Sequence, residues 1–154
     1  MKIQRSGGMF FSKTFGYALR SILYVAVLKD EGRKIQIDEI AKELSVPRHF
    51  LGKIMQDLVK AKMLKSTKGP YGGFSLNQDT LNTSLSKLLE ITDGHDLFTR
   101  CVLQFRSCSE ASPCPLHAEI EPVKNRFKGI FAQTMIGDLL KDDKKMFLKS
   151  LMTY

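Results

Sequence analysis

A chain of 154 residues, 43% apolar and 26% charged, has the size and composition of one soluble domain, or of one domain with an arm. These figures exclude a membrane-spanning chain: no apolar run reaches the roughly 18 residues a bilayer requires, and the longest candidate is Ile22–Leu28. The net charge of +8 lies in one half, with 14 Lys/Arg against 6 Asp/Glu in residues 1–76 and 10 against 10 in residues 77–154. A basic half joined to a neutral half suggests a polyanion-binding module joined to something else; the plainer alternative is a solvated basic face.

Along the chain, Met1–Gly8 is polar and no secretory apolar segment follows it, so a cytoplasmic protein is expected, with Met9 a second candidate start. Phe15, Ala18, Leu19, Ile22, Leu23, Ala26 and Val27 recur with helical spacing, after Ser12 as N-cap and before Gly32 as the stop. A short second helix follows Asp38, with Ile40, Ala41 and Leu44 on one face. After the turn Leu44-Ser45-Val46-Pro47, a third helix starts near Pro47, which suits a first turn. Its buried stripe is Leu51, Ile54, Met55, Leu58 and Ala61; Arg48, His49, Lys53, Gln56 and Lys60 occupy the other side. Two strands are predicted near Leu64–Thr67 and Phe74–Leu76, joined by the turn Lys68-Gly69-Pro70-Tyr71-Gly72-Gly73. Helix, helix, turn, helix, hairpin is the order of a winged helix-turn-helix.

A helix over Ser84–Thr92 and an irregular stretch, Asp93–Pro113, come next. A long helix from about Leu116 to Leu140 then carries Ile120, Val123, Phe127, Ile130, Phe131 and Thr134 at three- and four-residue spacing, with Pro122 marking a kink or a start. Such a helix needs a partner surface, and a second copy of the chain is the simplest. The fold class is therefore mainly α with a small β-wing. A DNA-binding domain spans residues 9–80, a cysteine loop and dimerisation helix 81–140, and a polar tail 141–154. Ile120, Val123, Phe127, Ile130 and Phe131 are the expected dimer contacts.

A helix reading the major groove needs polar side chains near its N-terminus. Arg48 and His49 stand there, with Lys53 one turn on; Arg bonds bases bidentately, whereas Lys mostly meets phosphate. Thr67, Lys68, Tyr71 and the wing backbone reach toward the minor groove or sugar-phosphate, and the glycines permit close approach. Each residue alone is weak evidence, but the ordered set points to double-stranded DNA.

Cys101, Cys108 and Cys114 fall within 14 residues and the remaining 140 hold none. An odd number cannot pair completely, and a reducing compartment would not keep disulfides. The spacing Cys101-x6-Cys108-x5-Cys114-x2-His117 suits an iron–sulfur cluster, in which a histidine can replace a cysteine. Structural zinc is less suited, because the usual short Cys-x-x-Cys pairs are missing. Inert buried cysteines and a thiol-only redox switch also remain open. His95, in the same loop, reads as solvated rather than as a ligand.

The segments Phe11–Arg20, Ser45–Leu51 and Lys68–Phe74, followed by the cysteine cluster and the long helix, resemble the Rrf2 regulators, the family of IscR, NsrR and CymR, from about Met9 to Leu140. The resemblance implies a homodimeric winged-helix transcription regulator, mostly a repressor, often reading an iron–sulfur cluster that senses iron, redox or nitric oxide. Other members lack the cluster. IscR-like members use a histidine three residues after the last cysteine, which His117 matches. NsrR-like members use an acidic residue in the first helix, where this chain has Gly16. The comparison implies ligation by Cys101, Cys108, Cys114 and His117, and favours a 2Fe-2S over a 4Fe-4S cluster. A metal-binding interaction module without specific DNA binding is the rival of a different class. An enzyme is not expected, since no phosphate-binding loop, nucleophile–base pair or carboxylate dyad is present.

Overall fold

The computed structural model describes residues 11–95, 97–103 and 109–140. Helix α1 (Lys13–Val27) runs through the centre. Ser12 caps it, its Oγ accepting the Phe15 N–H at 3.1 Å. The expected stripe is buried except for Leu19 and Val27, which are half-buried, and Ser21, Tyr24 and Val25 are buried as well. The helix is covered on more than one face because α3, α4 and the second strand all pack against it. Ser21, fully buried, donates its hydroxyl proton to the Tyr17 carbonyl at 2.7 Å, so its polar atom is satisfied.

A 3-10 turn over Leu28–Glu31 ends at Gly32, whose φ of 68° is left-handed. Helix α2 (Ile37–Glu43) begins just before Asp38, and Asp38 and Glu39 in its first turn complement the helix dipole. Helix α3 (Arg48–Lys60) starts one residue after Pro47, which serves as its N-cap. Leu51, Ile54, Met55 and Leu58 are its buried face; Ala61, placed in the stripe by periodicity, is the C-cap residue and half-buried.

Strands β1 (Leu64–Thr67) and β2 (Gly73–Leu76) pair antiparallel, Leu64 opposite Leu76 and Thr67 opposite Gly73. Ile35 adds an isolated antiparallel rung to β2, exchanging backbone hydrogen bonds of 3.0 and 2.8 Å with Phe74. One residue of pairing leaves no periodicity, so this rung is invisible in the sequence. It explains Gly73: φ there is +140°, and a Cβ would stand 2.6 Å from the Ile35 carbonyl oxygen.

Helix α4 (Leu85–Asp93) is capped by Ser84, which accepts the Lys87 N–H. Helix α5 (His117–Gln133) ends well before the expected Leu140. At Thr134 the chain becomes extended; the Leu85 N–H donates to the Thr134 carbonyl and the Ile136 N–H to the Thr83 carbonyl, both at 2.9 Å. A 3-10 turn, Ile136–Leu140, then carries Ile136 fully into the core. The apolar repeat continues past Gln133 because these residues serve the same core, not because the α-helix does. Pro122 lies inside α5 without ending it. The core crosses residue 80: Leu85, Leu88, Leu89 and Ile136 join Ile22, Leu51 and Leu58 in one cluster. Among the described residues, no helix is long and apolar enough to cross a membrane.

Candidate nucleic-acid interface and thiol cleft

The periodicity that buries Leu51, Ile54, Met55 and Leu58 turns Arg48, His49, Lys53, Gln56 and Lys60 outward, and all five are exposed. Arg48 is the first residue of α3. Its Nε donates to Asp38 Oδ1, from the first turn of α2. Phe50, 37% exposed, stands edge-on to Tyr17 at 5.8 Å between ring centroids. Neither Asp38 nor Phe50 stands out as a site residue in the sequence; a spacing of ten across the helix-turn-helix would have had to be read as a contact.

The wing projects beside this face. Thr67 and Lys68 are exposed, and Tyr71 at the tip is 92% exposed. The tip is a tight turn in which the Gly72 N–H reaches the Gly69 carbonyl at 2.9 Å. A Cβ on Gly72 would lie 2.2 Å from the Thr67 carbonyl oxygen, so the turn requires glycine. Gln36 Nε2 donates to the Pro70 carbonyl at 3.3 Å, joining the start of α2 to the wing.

A second ion pair, between Arg33 and Glu39, braces the start of α2. Glu39 accepts from both terminal amino groups of Arg33, at 2.7 and 2.8 Å, and from the Tyr24 hydroxyl at 3.2 Å. Hydrogen bonding from Arg33 holds the Glu39 carboxyl below the ordinary glutamate range. Burial, followed by the Glu39 charge, pushes the Tyr24 phenol well above its ordinary value.

Cys101 and Cys114 are half-buried, and with His117 they line one small cleft at the start of α5. The His117 N–H donates to the Cys114 carbonyl at 3.0 Å, a turn that sets the two residues side by side. Glu121, one helical turn after His117, and Lys124 line the same cleft, and the Lys124 ammonium lies 3.3 Å from Glu121 Oε2. Sequence reasoning missed both, although the i, i+4 step from His117 points to Glu121. Cys108 lies outside the described residues. Among the described residues, no group of three or more His, Cys, Asp or Glu side chains is gathered to hold a metal ion. His95 is not in the cleft; it is exposed, 3.8 Å from a Glu90 carboxylate oxygen. Gly16 offers no ligand atom, and a Cβ there would meet open space.

On α5, no described side chain is fully buried. Leu116, just before it, and Val123 and Ile130 on it are exposed at seven-residue spacing, with Ile120 and Phe127 half-buried. Phe131 behaves differently: its ring stacks on Phe11 at 4.9 Å and meets Phe15 at 5.9 Å and Phe98 at 6.2 Å. This places it in its own chain's aromatic cluster.

A family model described as "Rrf2: Iron-dependent Transcriptional regulator" matches residues 11–142. An HTH-type transcriptional regulator of Aquifex aeolicus is 35% identical over 139 residues, covering 89% of this chain and 95% of that one. The HTH-type transcriptional regulator IscR of Escherichia coli O1:K1 / APEC is 23% identical, covering 83% and 78%. Among solved structures, CymR of B. subtilis superposes with a TM-score of 0.66 at 18% identity, covering 90% of this chain and 95% of that one. T. potens IscR superposes with a TM-score of 0.64 at 17% identity, covering 92% and 88%. At such identities these two likenesses establish the winged-helix fold.

Proposed function

We propose, from the premise that this chain belongs to the Rrf2 family of iron-dependent transcriptional regulators, that it is a homodimeric repressor whose hold on duplex DNA is set by an iron–sulfur cluster. Its relatives are transcriptional regulators rather than enzymes. The observation that carries the DNA reading is the juxtaposition of exposed Arg48, His49 and Lys53 at the start of α3 with a glycine-built wing bearing Thr67, Lys68 and Tyr71. Helix α3 enters the major groove, Arg48 reads a base edge, and the lysines meet phosphate.

The cluster reading is supported by Cys101, Cys114 and His117 sharing one cleft. Two thiols and an imidazole are the donor types iron–sulfur clusters take, and Cys108 would add the third thiolate. Gly16, without a side chain, favours His117 as the fourth ligand and a 2Fe-2S over a 4Fe-4S cluster. When bound, the cluster supplies an iron- and oxidant-sensitive group whose gain or loss is the signal. The chain's own part is to tie residues 101–114 to the start of α5. Leu116, Ile120, Val123, Phe127 and Ile130 then form the seam with a second copy, placing two α3 helices one DNA turn apart, about 34–36 Å.

The alternative is a cluster-free winged-helix regulator, a fold this chain shares with CymR, the global cysteine regulator of B. subtilis. Anaerobic reconstitution with iron and sulfide, followed by Mössbauer spectra and titration of a duplex selected from a random library, separates the two. A bound cluster whose removal changes DNA affinity supports the sensor; wild type binding no more iron than Cys108→Ala leaves the cluster-free regulator.

A further inference from the structure

We propose that Asp38 is a specificity-determining positioning residue, whose carboxylate orients the Arg48 guanidinium for a base edge; this rests on the reading that α3 enters the major groove. Arg48 is the first residue of α3, where a groove-facing side chain reaches base edges, and its contact with Asp38 is made through Nε. That contact does not use the two terminal amino groups of the guanidinium. Reading a guanine takes two parallel N–H donors from the same planar group. A long exposed side chain must otherwise lose its rotamer freedom on binding, and a carboxylate that holds it beforehand removes part of that cost.

The carboxylate comes from an element fixed to the other DNA-contacting part. Just before Asp38, Ile35 pairs with Phe74 of β2 and Gln36 donates to Pro70 at the wing tip. The direction given to Arg48 is therefore referenced to the wing. Asp38 has a second effect of the same sign. It is an exposed negative charge on the proposed DNA face, so it repels phosphates and weakens binding that ignores sequence. Both effects raise the ratio of specific to non-specific binding, at some expense of total affinity.

The experiment selects duplexes from a randomised library with the full chain and with Arg48→Ala, Asp38→Ala, Asp38→Asn and the Asp38→Ala/Arg48→Ala double variant. Binding is then measured on the wild-type-selected duplex and on a scrambled one. Thermal unfolding of each variant establishes that it is folded. Arg48→Ala should erase the preference at one base pair per half-site. Asp38→Ala should reduce the preference at that same pair by about tenfold, within the range a bidentate contact supplies, while binding the scrambled duplex more tightly. Asp38→Asn keeps an acceptor oxygen without the charge, so it should retain more of the base preference than Asp38→Ala. In the Arg48→Ala background, Asp38→Ala should change no base preference. The inference is overturned if Arg48→Ala loses the preference and Asp38→Ala keeps it, or if Asp38→Ala alters it equally without Arg48. Should wild type select no sequence, or Arg48→Ala keep the full preference, the groove reading itself falls and takes the inference with it.

Discussion

Arg33 and Glu39 meet through two parallel hydrogen bonds, guanidinium fork to carboxylate, across the start of the helix-turn-helix. The pair holds the Glu39 carboxyl below its ordinary value of 4.5. A carboxyl depressed in the folded state stabilises above its unfolded value, and that stability is lost as pH falls through the lower folded value. The side chains are 47% and 28% exposed, so solvent screening limits the contribution to about 1 kcal/mol or less. Arg33→Met should flatten the acid limb of stability. Urea unfolding between pH ~3 and ~7 checks this, and parallel curves for wild type and variant would refute it.

Gly73→Ala should cost about 2–4 kcal/mol, because its Cβ collides with the backbone of Ile35 at a left-handed φ. Gly16→Ala, in α1 with open space around it, should instead stabilise by about 0.5–1 kcal/mol. Denaturant midpoints of the two variants should move in opposite directions.

Val123→Asp and Ile130→Asp should turn a dimer into a monomer, since both side chains are exposed in the single chain. Phe131→Ala should lower stability by about 2–3 kcal/mol, because its ring is stacked within its own chain. Sedimentation equilibrium and urea unfolding read the two effects separately. A monomeric wild type at micromolar concentration would remove the basis for the first.

Cys108→Ala should abolish cluster assembly, whereas His117→Cys should keep a cluster with an altered spectrum and potential. Both follow from the donor set and the shared cleft of Cys101, Cys114 and His117. Iron and sulfide content with Mössbauer spectra decides; equal iron in wild type and Cys108→Ala would count against the ligand assignment.

Lys68→Ala should weaken binding to selected and scrambled duplexes alike and reduce the salt slope by about one. Arg48→Ala should weaken selected duplexes preferentially. Salt titrations on both duplexes make the comparison, and identical losses for both variants would contradict it.

The helix-turn-helix and the wing were legible because each rests on a local signal: the 3.6-residue repeats of α1 and α3, and the glycines of the turn. The glycine run even marked two positions where a Cβ would meet backbone, Gly72 and Gly73; a third, Gly137 against the Leu81 carbonyl, lies outside it. The end of α5 was not legible. Ile136, Leu139 and Leu140 continue the apolar spacing, but they reach the core only after Thr134 leaves the helix. Periodicity reports which residues face the core and not which backbone carries them there. The role of Phe131 was hidden likewise: an apolar stripe does not say whether its partner is Phe11 and Phe15 of the same chain or a second copy. Asp38 and Arg48 meet through tertiary geometry alone.

The return of Ile136 to the core has a practical bearing on modularity. A fragment ending after β2 holds every proposed DNA contact, yet it strips α1 of Leu85, Leu88, Leu89 and Ile136 and leaves their apolar partners facing water. The DNA-reading part is thus not a cassette that can be cut out and fused elsewhere. Any transplant has to carry the chain through residue 140, and with it the thiol cleft, so the proposed recognition and sensing parts travel as one heritable unit.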